Sequence, residues 1–286
     1  MKRIIALVLV LVMTGILFCG CQHPESVSDD SSAPGTNGVL RVSTSPDFAP
    51  MVFVDPTQSG QDQFVGFDIT LAKFIAEELN MELEIMPMDF NACQMAVYAG
   101  TVDMSISGYA WSAEREEKYN LSDHYRAGNS ADSQVIITLK DHAERFATAG
   151  DLAGALVGAQ NASLQQLLVT EQLPDAQMEP FSDLELAVRM LLSGDLDCIA
   201  VSEGNADAIT AAHEEIVRSG FEFRLDERHR GNVILLQKGN DELTARVNEI
   251  LERASEYYDQ WYADAKSTAG IQVTYDAEGN VVSASE

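Results

Sequence analysis

The stretch VDMSISGYAWSAER, Val102 to Arg115, decides how the rest of the chain is read. Met104 to Ser107 suits a short buried strand, Gly108 marks a tight turn, and Ser112 is a good cap for a helix starting beside it. A strand-to-helix junction of this kind leaves backbone N–H groups, here near Gly108 and Ala110, free to meet an anion. Arg115 falls in the first helical turn. Its planar guanidinium matches a carboxylate with two parallel hydrogen bonds, which a lysine ammonium does not reproduce. Taken alone, the same pattern also describes an exposed arginine in an ordinary βα connection.

Outward from this stretch, strands and helices alternate. Val39 to Thr44 reads as a strand, Ser45 to Pro50 as an irregular loop, and Met51 to Val54 as a second short apolar run. Gly66 to Asn80 is an amphipathic helix with Phe67, Leu71, Phe74, Ile75 and Leu79 on one face, Asp68 as its cap and Asn80 as its stop. Glu82 to Met86 is a strand, and Asn91 to Ala99 a helix ending at Gly100. This is the rhythm of parallel α/β units. Farther on, Gln134 to Thr138 and Leu152 to Ala159 read as strands, and Ser163 caps a helix running to Leu173. Ser182-Asp-Leu-Glu185 has the form of a capping box, opening a helix that stops at Gly194. Asp197 to Val201 is a buried strand, Glu203 to Arg218 helical, Phe221 to Leu225 a strand, and Gly231 to Leu236 another. Glu242 to Ala265 is a long helix with Leu243, Val247, Ile250, Leu251, Tyr258 and Trp261 inward. The tail from Ile271 to Glu286 reads as a small hairpin or a frayed end, with no function attached to it.

At 286 residues, 46% hydrophobic and 22% charged, the chain is globular and long enough for two medium domains. A formal charge of −27 argues against nucleic acid or an anionic membrane surface as partner. A small anionic ligand would then need a local cation, and Arg115 supplies one. Lys2-Arg3 followed by the apolar run Ile4 to Phe18 has the length of a signal-peptide core and is short for a spanning helix. Leu17-Phe18-Cys19-Gly20-Cys21 resembles a bacterial lipobox, with cleavage after Gly20 and lipid on Cys21. Losing Lys2 and Arg3 would move the charge from −27 to −29. Gln22 to Asn37 is polar, with nothing to bury, and reads as a disordered tether. Cys93 and Cys198 are expected to stay free and buried, and no Cys or His pair has metal-ligand spacing. No metal or cofactor is called for.

Leu40-Arg-Val-Ser-Thr44, Phe48-Ala-Pro50, Gly66-Phe-Asp68, Met88-Asp-Phe90, Val102-Asp103, Ile106-Ser-Gly108, Glu114-Arg115 and Leu121-Ser-Asp123 occur in that order. Together they resemble the family-3 extracellular solute-binding proteins of ABC importers, the polar amino-acid binders, over about Val39 to Lys266. The resemblance implies an α/β periplasmic-binding-protein type II fold: two lobes, two crossover strands and a cleft between the lobes. On that plan residues 1–21 are the signal peptide and 22–37 the tether. Residues 38–133 form the first part of lobe 1, 134–232 form lobe 2, and 233–286 the rest of lobe 1 with the tail. Hinge motion is expected near Ser133 and Gly231.

In family terms Arg115 grips the ligand's α-carboxylate, helped by Ser107 and by backbone at Gly108 and Ala110. Phe48 matches an aromatic that covers the ligand's side chain, with core packing as the alternative. Ser163 and Leu164, at a helix N-terminus, supply the second lobe's half of the carboxylate site, or serve as a plain cap. Asp68, Asp103 and Asp123 read as caps and turn supports. Cys93 matches a position that often faces the ligand, though a small buried hydrophobe is the preferred reading. Trp111 should sit on the cleft rim or pack away from it, unless it and Tyr109 flank a ligand. Two departures matter. Ser202 stands where a second-lobe carboxylate usually meets the ligand's ammonium, with Glu203 one residue late, and Ser45 replaces an Asp of the basic-amino-acid binders. Either Glu203 takes the ammonium or the ligand lacks one, because a buried ammonium with no anion is costly. Ala162 also stands where glycine is usual.

The expected function is capture of a small carboxylate-bearing solute, an amino acid first, for delivery to an ABC permease by a monomer anchored on the outer face of the cell membrane. An enzyme like the cyclohexadienyl dehydratases, with Glu203 as its acid, is the alternative on the same fold, although no acid–base pair is legible. A sensor ectodomain would need a separate receptor.

Overall fold

Two five-stranded sheets organise the protein. The computed structural model describes residues 38–125, 133–229 and 231–270, with the backbone of 272–275 and 281–285. The signal peptide, the lipidation site at Cys21 and the tether of residues 22–37 lie outside the described residues.

Lobe 1 begins with β1 (Val39–Thr44) and a small sheet of β2 (Asp47–Phe48), β3 (Val52–Val54) and β4 (Phe64–Val65). It continues through α1 (Phe67–Leu79), β5 (Glu82–Pro87), α2 (Phe90–Tyr98), β6 (Met104–Ala110), α3 (Ala113–Lys118) and β7 (Tyr119–Leu121). Lobe 2 comprises β8 (Gln134–Leu139), β9 (Leu156–Gln160), α4 (Leu164–Gln172), β10 (Gln177–Phe181), α5 (Leu184–Ser193), β11 (Cys198–Ser202), α6 (Glu203–Ala212) and β12 (Ile216–Glu222). The chain then returns to lobe 1 as β13 (Asn232–Gln237), α7 (Asp241–Ala254) and α8 (Tyr258–Ala269). Sheet order is β5-β1-β6-β13-β7 in lobe 1 and β10-β9-β11-β8-β12 in lobe 2. The strands that enter from the other lobe, β13 and β8, both run antiparallel to their neighbours, while β1, β5, β6 and β9, β10, β11 are mutually parallel.

Each lobe owns a core. The face of α1 carrying Phe67, Leu71, Ile75 and Leu79 packs on Leu40 and Val42 of β1, Ile234 and Leu236 of β13, and Val247, Ile250 and Leu251 of α7. In lobe 2, β8 is covered on both sides: Ile136 faces one cluster, Val135 and Ile137 the other. That explains its uninterrupted apolar run. Each such side chain contributes roughly 1.5–3 kcal/mol on burial. Cys93 and Cys198 are free and buried, one in each lobe.

Several boundaries differ from the sequence expectation. Gly66, at φ 117°, caps α1 rather than Asp68, because a Cβ there would lie 2.4 Å from the Met51 carbonyl oxygen. Asn80 does end the helix, in the left-handed conformation. Asp183 rather than Ser182 caps α5, its carboxylate accepting the Leu186 N–H. The helix expected over Glu203–Arg218 stops at Ala212, and Ile216–Glu222 pairs with β8 as an edge strand. Ile216, Val217 and Phe221 favour a strand once a partner exists, and sheet pairing overrides the weak helical propensity. The long C-terminal helix breaks at Ser255–Tyr257 into α7 and α8. The tail pairs Gln272–Tyr275 with Val281–Ser285 as an antiparallel hairpin.

Candidate functional site

The site grows from the β6–α3 junction. β6 does not end at Ser107 but runs to Ala110 through a kink at Gly108, φ +61°, where its register with β13 shifts. A Cβ on Gly108 would lie 2.3 Å from Cε1 of Phe48, so the absent side chain is what lets that ring lie against the strand. The Gly108 N–H is not free for an anion. It donates to Asp68 Oδ2 at 2.8 Å, and Tyr125 Oη donates to Asp68 Oδ1 at 3.0 Å. Asp68 is therefore a buried tie between α1, the kink and the start of the first crossover, in place of the helix cap expected of it.

Burial pushes the Asp68 carboxyl from its ordinary 3.8 to about 7, against the two hydrogen bonds that hold it down. The folded protein then keeps a proton that the unfolded chain releases. Stability from this group is full below about pH 4, is lost as pH rises, and levels off above about 7. One such group gives a slope of about 1.4 kcal/mol per pH unit inside that window. Urea unfolding of wild type and Asp68→Asn across this range tests it. The variant keeps both neighbours bonded and should lose the slope, and equal slopes would remove Asp68 as its source.

Ser112 caps α3 as expected, accepting the Arg115 N–H at 3.1 Å. The Arg115 side chain turns inward and the residue is 6% exposed. Its Nε donates to Gln94 Oε1 at 3.1 Å, Nη1 to the Ala110 carbonyl at 2.6 Å, and Nη2 to the Ala162 carbonyl at 2.7 Å. Ala162 belongs to lobe 2, so the guanidinium bridges the two lobes. It lies 5.2 Å from the Tyr109 ring centre and 5.8 Å from that of Phe90. Among the described residues no carboxylate lies within ion-pair distance of it. Burial lowers its pKa, yet an arginine in this setting stays charged. Ala110 contributes its carbonyl here rather than an N–H.

Beside Arg115 lies an interlobe cavity of about 30 Å³, room for about one water. Phe48, Ser107, Gly108 and Ala110 line it from lobe 1, and Ser163 and Leu164 from lobe 2. Seven of the expected residues, counting Arg115, thus converge. Gln160, the first residue of the second-lobe stretch Gln160-Asn-Ala-Ser163, lines it as well, whereas sequence reasoning missed Phe90 and Gln165, which also line it, and Gln94, which aims the guanidinium. Neutral residues at these positions carry no signal of their own, although Gln94 sits one helical turn from Phe90 on α2. Ser163 Oγ caps α4 through the Gln166 N–H at 3.1 Å. Ala162 adopts φ +59°, a conformation that suits glycine better.

Four expected residues do not line the cavity. Cys93 is packed with Phe90, Val97 and Tyr109, its thiol 3.6 Å from the Met88 carbonyl and its pKa pushed by burial up to about 12. Ser202 caps α6 and donates to Asn205 Oδ1 at 2.7 Å. Glu203 pairs with Arg218 at 2.9 Å, its side chain 39% exposed, which removes it as a ready partner for a ligand's ammonium. Ser45 stands behind the site, donating to Asp47 Oδ1 at 2.7 Å and, through its N–H, to Ser107 Oγ at 3.1 Å. Tyr109 is fully buried with its hydroxyl on Ser105, so it backs Arg115 instead of flanking a ligand. Trp111 lines a larger groove of about 580 Å³ that reaches the same guanidinium, since Gln94, Arg115, Ala162, Ser163 and Leu164 line it too. The Arg228 guanidinium lies 4.9 Å from the Trp111 ring centre.

Asp47 was not singled out by the sequence. Besides the Ser45 hydroxyl it accepts Gln160 Nε2 at 2.9 Å and the Leu184 N–H at 3.2 Å, both from lobe 2. Burial raises its pKa, and nearby Asp183 adds to the rise.

The sequence model of bacterial extracellular solute-binding proteins, family 3, matches residues 40–264. A probable histidine-binding protein of Campylobacter jejuni is 26% identical over 85% of this chain and 93% of its own length. The arginine-binding extracellular protein ArtP of Bacillus subtilis is 25% identical over 88% and 91%. Among solved structures, the amino acid ABC transporter substrate-binding protein AbpA of Streptococcus pneumoniae, bound to L-arginine, superposes with a TM-score of 0.73. It is 27% identical, over 81% of this chain and 96% of that one.

Proposed function

The chain belongs to the bacterial extracellular solute-binding proteins, family 3, and from that membership we propose that it captures a polar amino acid between its lobes, gripping the carboxylate with Arg115, and passes it to an ABC permease. The relatives named for histidine and arginine support this ligand class. The observation that carries the assignment is Arg115 itself: a buried cation on the interlobe cavity, held by three neutral acceptors and no carboxylate among the described residues. A charge so placed is stabilised most by an anion delivered with the ligand.

Entry requires movement. The cavity of about 30 Å³ under Phe48 admits no amino acid, and the bond from Arg115 to the Ala162 carbonyl divides it from the groove of about 580 Å³ that Arg115 also lines. The lobes therefore part about the crossovers near Ser133 and Gly231, and the incoming carboxylate takes over Nη2 from that carbonyl. Ser163, Leu164 and Gly108 complete the walls, and Phe48 covers the ligand's side chain. The histidine- and arginine-binding relatives support binding over turnover. The protein works outside the cytoplasm, as its family does. We further propose that it is a monomer tethered to the outer face of the membrane by lipid on Cys21.

A thermal-shift screen of the purified protein against L-arginine, L-histidine and other polar amino acids tests the assignment. A ligand at 100 times its dissociation constant adds about 2.7 kcal/mol of stability. No response to any amino acid, with consumption of prephenate instead, would replace the binding function by the dehydratase one.

A further inference from the structure

We infer that Asp47 is a closing latch: its carboxylate, carried by lobe 1, docks on the N-terminus of α5 and on Gln160 in lobe 2, and so holds the lobes together without any ligand.

The interlobe seam has two flanks. On one, Arg115 and Gln94 Nε2 both meet the Ala162 carbonyl, the latter at 3.4 Å. An arriving carboxylate competes for that flank. On the other, Asp47 Oδ2 accepts Gln160 Nε2 at 2.9 Å and the Leu184 N–H at 3.2 Å, and Asn205 Nδ2 reaches the Ala49 carbonyl at 3.4 Å. These bonds are made by the protein alone. The carboxylate that crosses this second flank is that of Asp47, which docks against the repulsion of the cap Asp183.

The docking has a clear physical basis. The first N–H groups of a helix have no partner inside it, and its N-terminus favours negative charge. In α5 the cap Asp183 satisfies the Leu186 N–H, leaving the Leu184 N–H for the other lobe's carboxylate. Ser45 Oγ, bonded to Asp47 Oδ1, fixes the carboxylate in the orientation that presents Oδ2 across the seam. A latch of this kind raises affinity by increasing the fraction of protein already in the closed, binding-competent form. That consequence rests on the two-lobe capture function proposed above, whereas the latch itself does not.

Two variants weaken the same contact from opposite sides. Asp47→Asn removes the charge and keeps the shape. Leu184→Pro deletes the accepted N–H at the first helical position, where proline is well tolerated, and Leu184→Ala, which keeps the N–H, controls for the core packing that the leucine side chain loses. The preceding Asp183 has the extended backbone, φ −133° and ψ 128°, that a following proline requires. Small-angle X-ray scattering of the ligand-free protein should give both variants a larger radius of gyration than wild type, with far-ultraviolet circular dichroism unchanged. With L-arginine as probe, each variant should bind about tenfold more weakly. Because Asp47→Asn weakens the Gln160 and Leu184 bonds together, adding Leu184→Pro to it should cost less than Leu184→Pro costs in the wild type. Scattering profiles that match wild type, or losses that add in the double variant, would overturn the latch. A wild type that ignores L-arginine while the variants still open would instead count against the ligand assignment and uphold the latch.

Discussion

Replacing Arg115 by alanine is expected to abolish the ligand-induced rise in melting temperature and weaken binding at least about a hundredfold, because two charge-assisted bonds to the carboxylate disappear together. Lysine at 115 should rescue little, since a single ammonium cannot hold both oxygens in the plane that the guanidinium fork sets. The ligand-free protein will feel the change as well. Gln94 Oε1 and the Ala110 carbonyl lose the guanidinium as donor, at a cost of about 1–3 kcal/mol for buried groups left unsatisfied, while the Ala162 carbonyl keeps Gln94 Nε2 at 3.4 Å. The shift must therefore be measured against each variant's own ligand-free melt. An Arg115→Ala protein that responds to ligand as wild type does would end the carboxylate assignment.

Gly108→Ala should cost about 2–4 kcal/mol of stability, from the left-handed backbone at φ +61° and from the clash of the new methyl with Phe48. The ring would be driven from the strand toward the cavity it lines, so binding should fall along with the urea midpoint. The cause can be isolated. Phe48→Ala placed on top of Gly108→Ala removes the clash and should recover part of the lost stability, even though truncating Phe48 alone is destabilising. If the double variant is no more stable than Gly108→Ala, the contact with Phe48 is not what restricts position 108.

The fold was legible because its signals are local. The period of α1, the apolar runs of β8 and β11, and stops such as Asn80 and Gly194 each need only a few neighbouring residues. The expectation failed where a distant partner decides. Ile216–Glu222 is a strand because β8 lies beside it, and Gly66 is the helix cap because the Met51 carbonyl leaves no room for a side chain. Asp68 shows the same limit in the site. Its sequence position suggests a cap, yet it spends its carboxylate on Gly108, 40 residues away, and on Tyr125, 57 away.

What the sequence determined by itself is the set of parts: two α/β lobes, an arginine one turn into a helix at the end of a buried strand, and a missing acid at Ser202. The arginine follows from spacing and residue chemistry, whereas the two lobes and the missing acid follow from the family resemblance that the ordered motifs carry. Only the tertiary structure decided how the charges are spent. It placed Glu203 on Arg218, turned Arg115 onto a carbonyl of the opposite lobe, and set Asp47 against a helix N-terminus more than a hundred residues away. Pairings of that kind depend on which surfaces meet when the lobes pack, and no local pattern encodes which partner a charged side chain will find there.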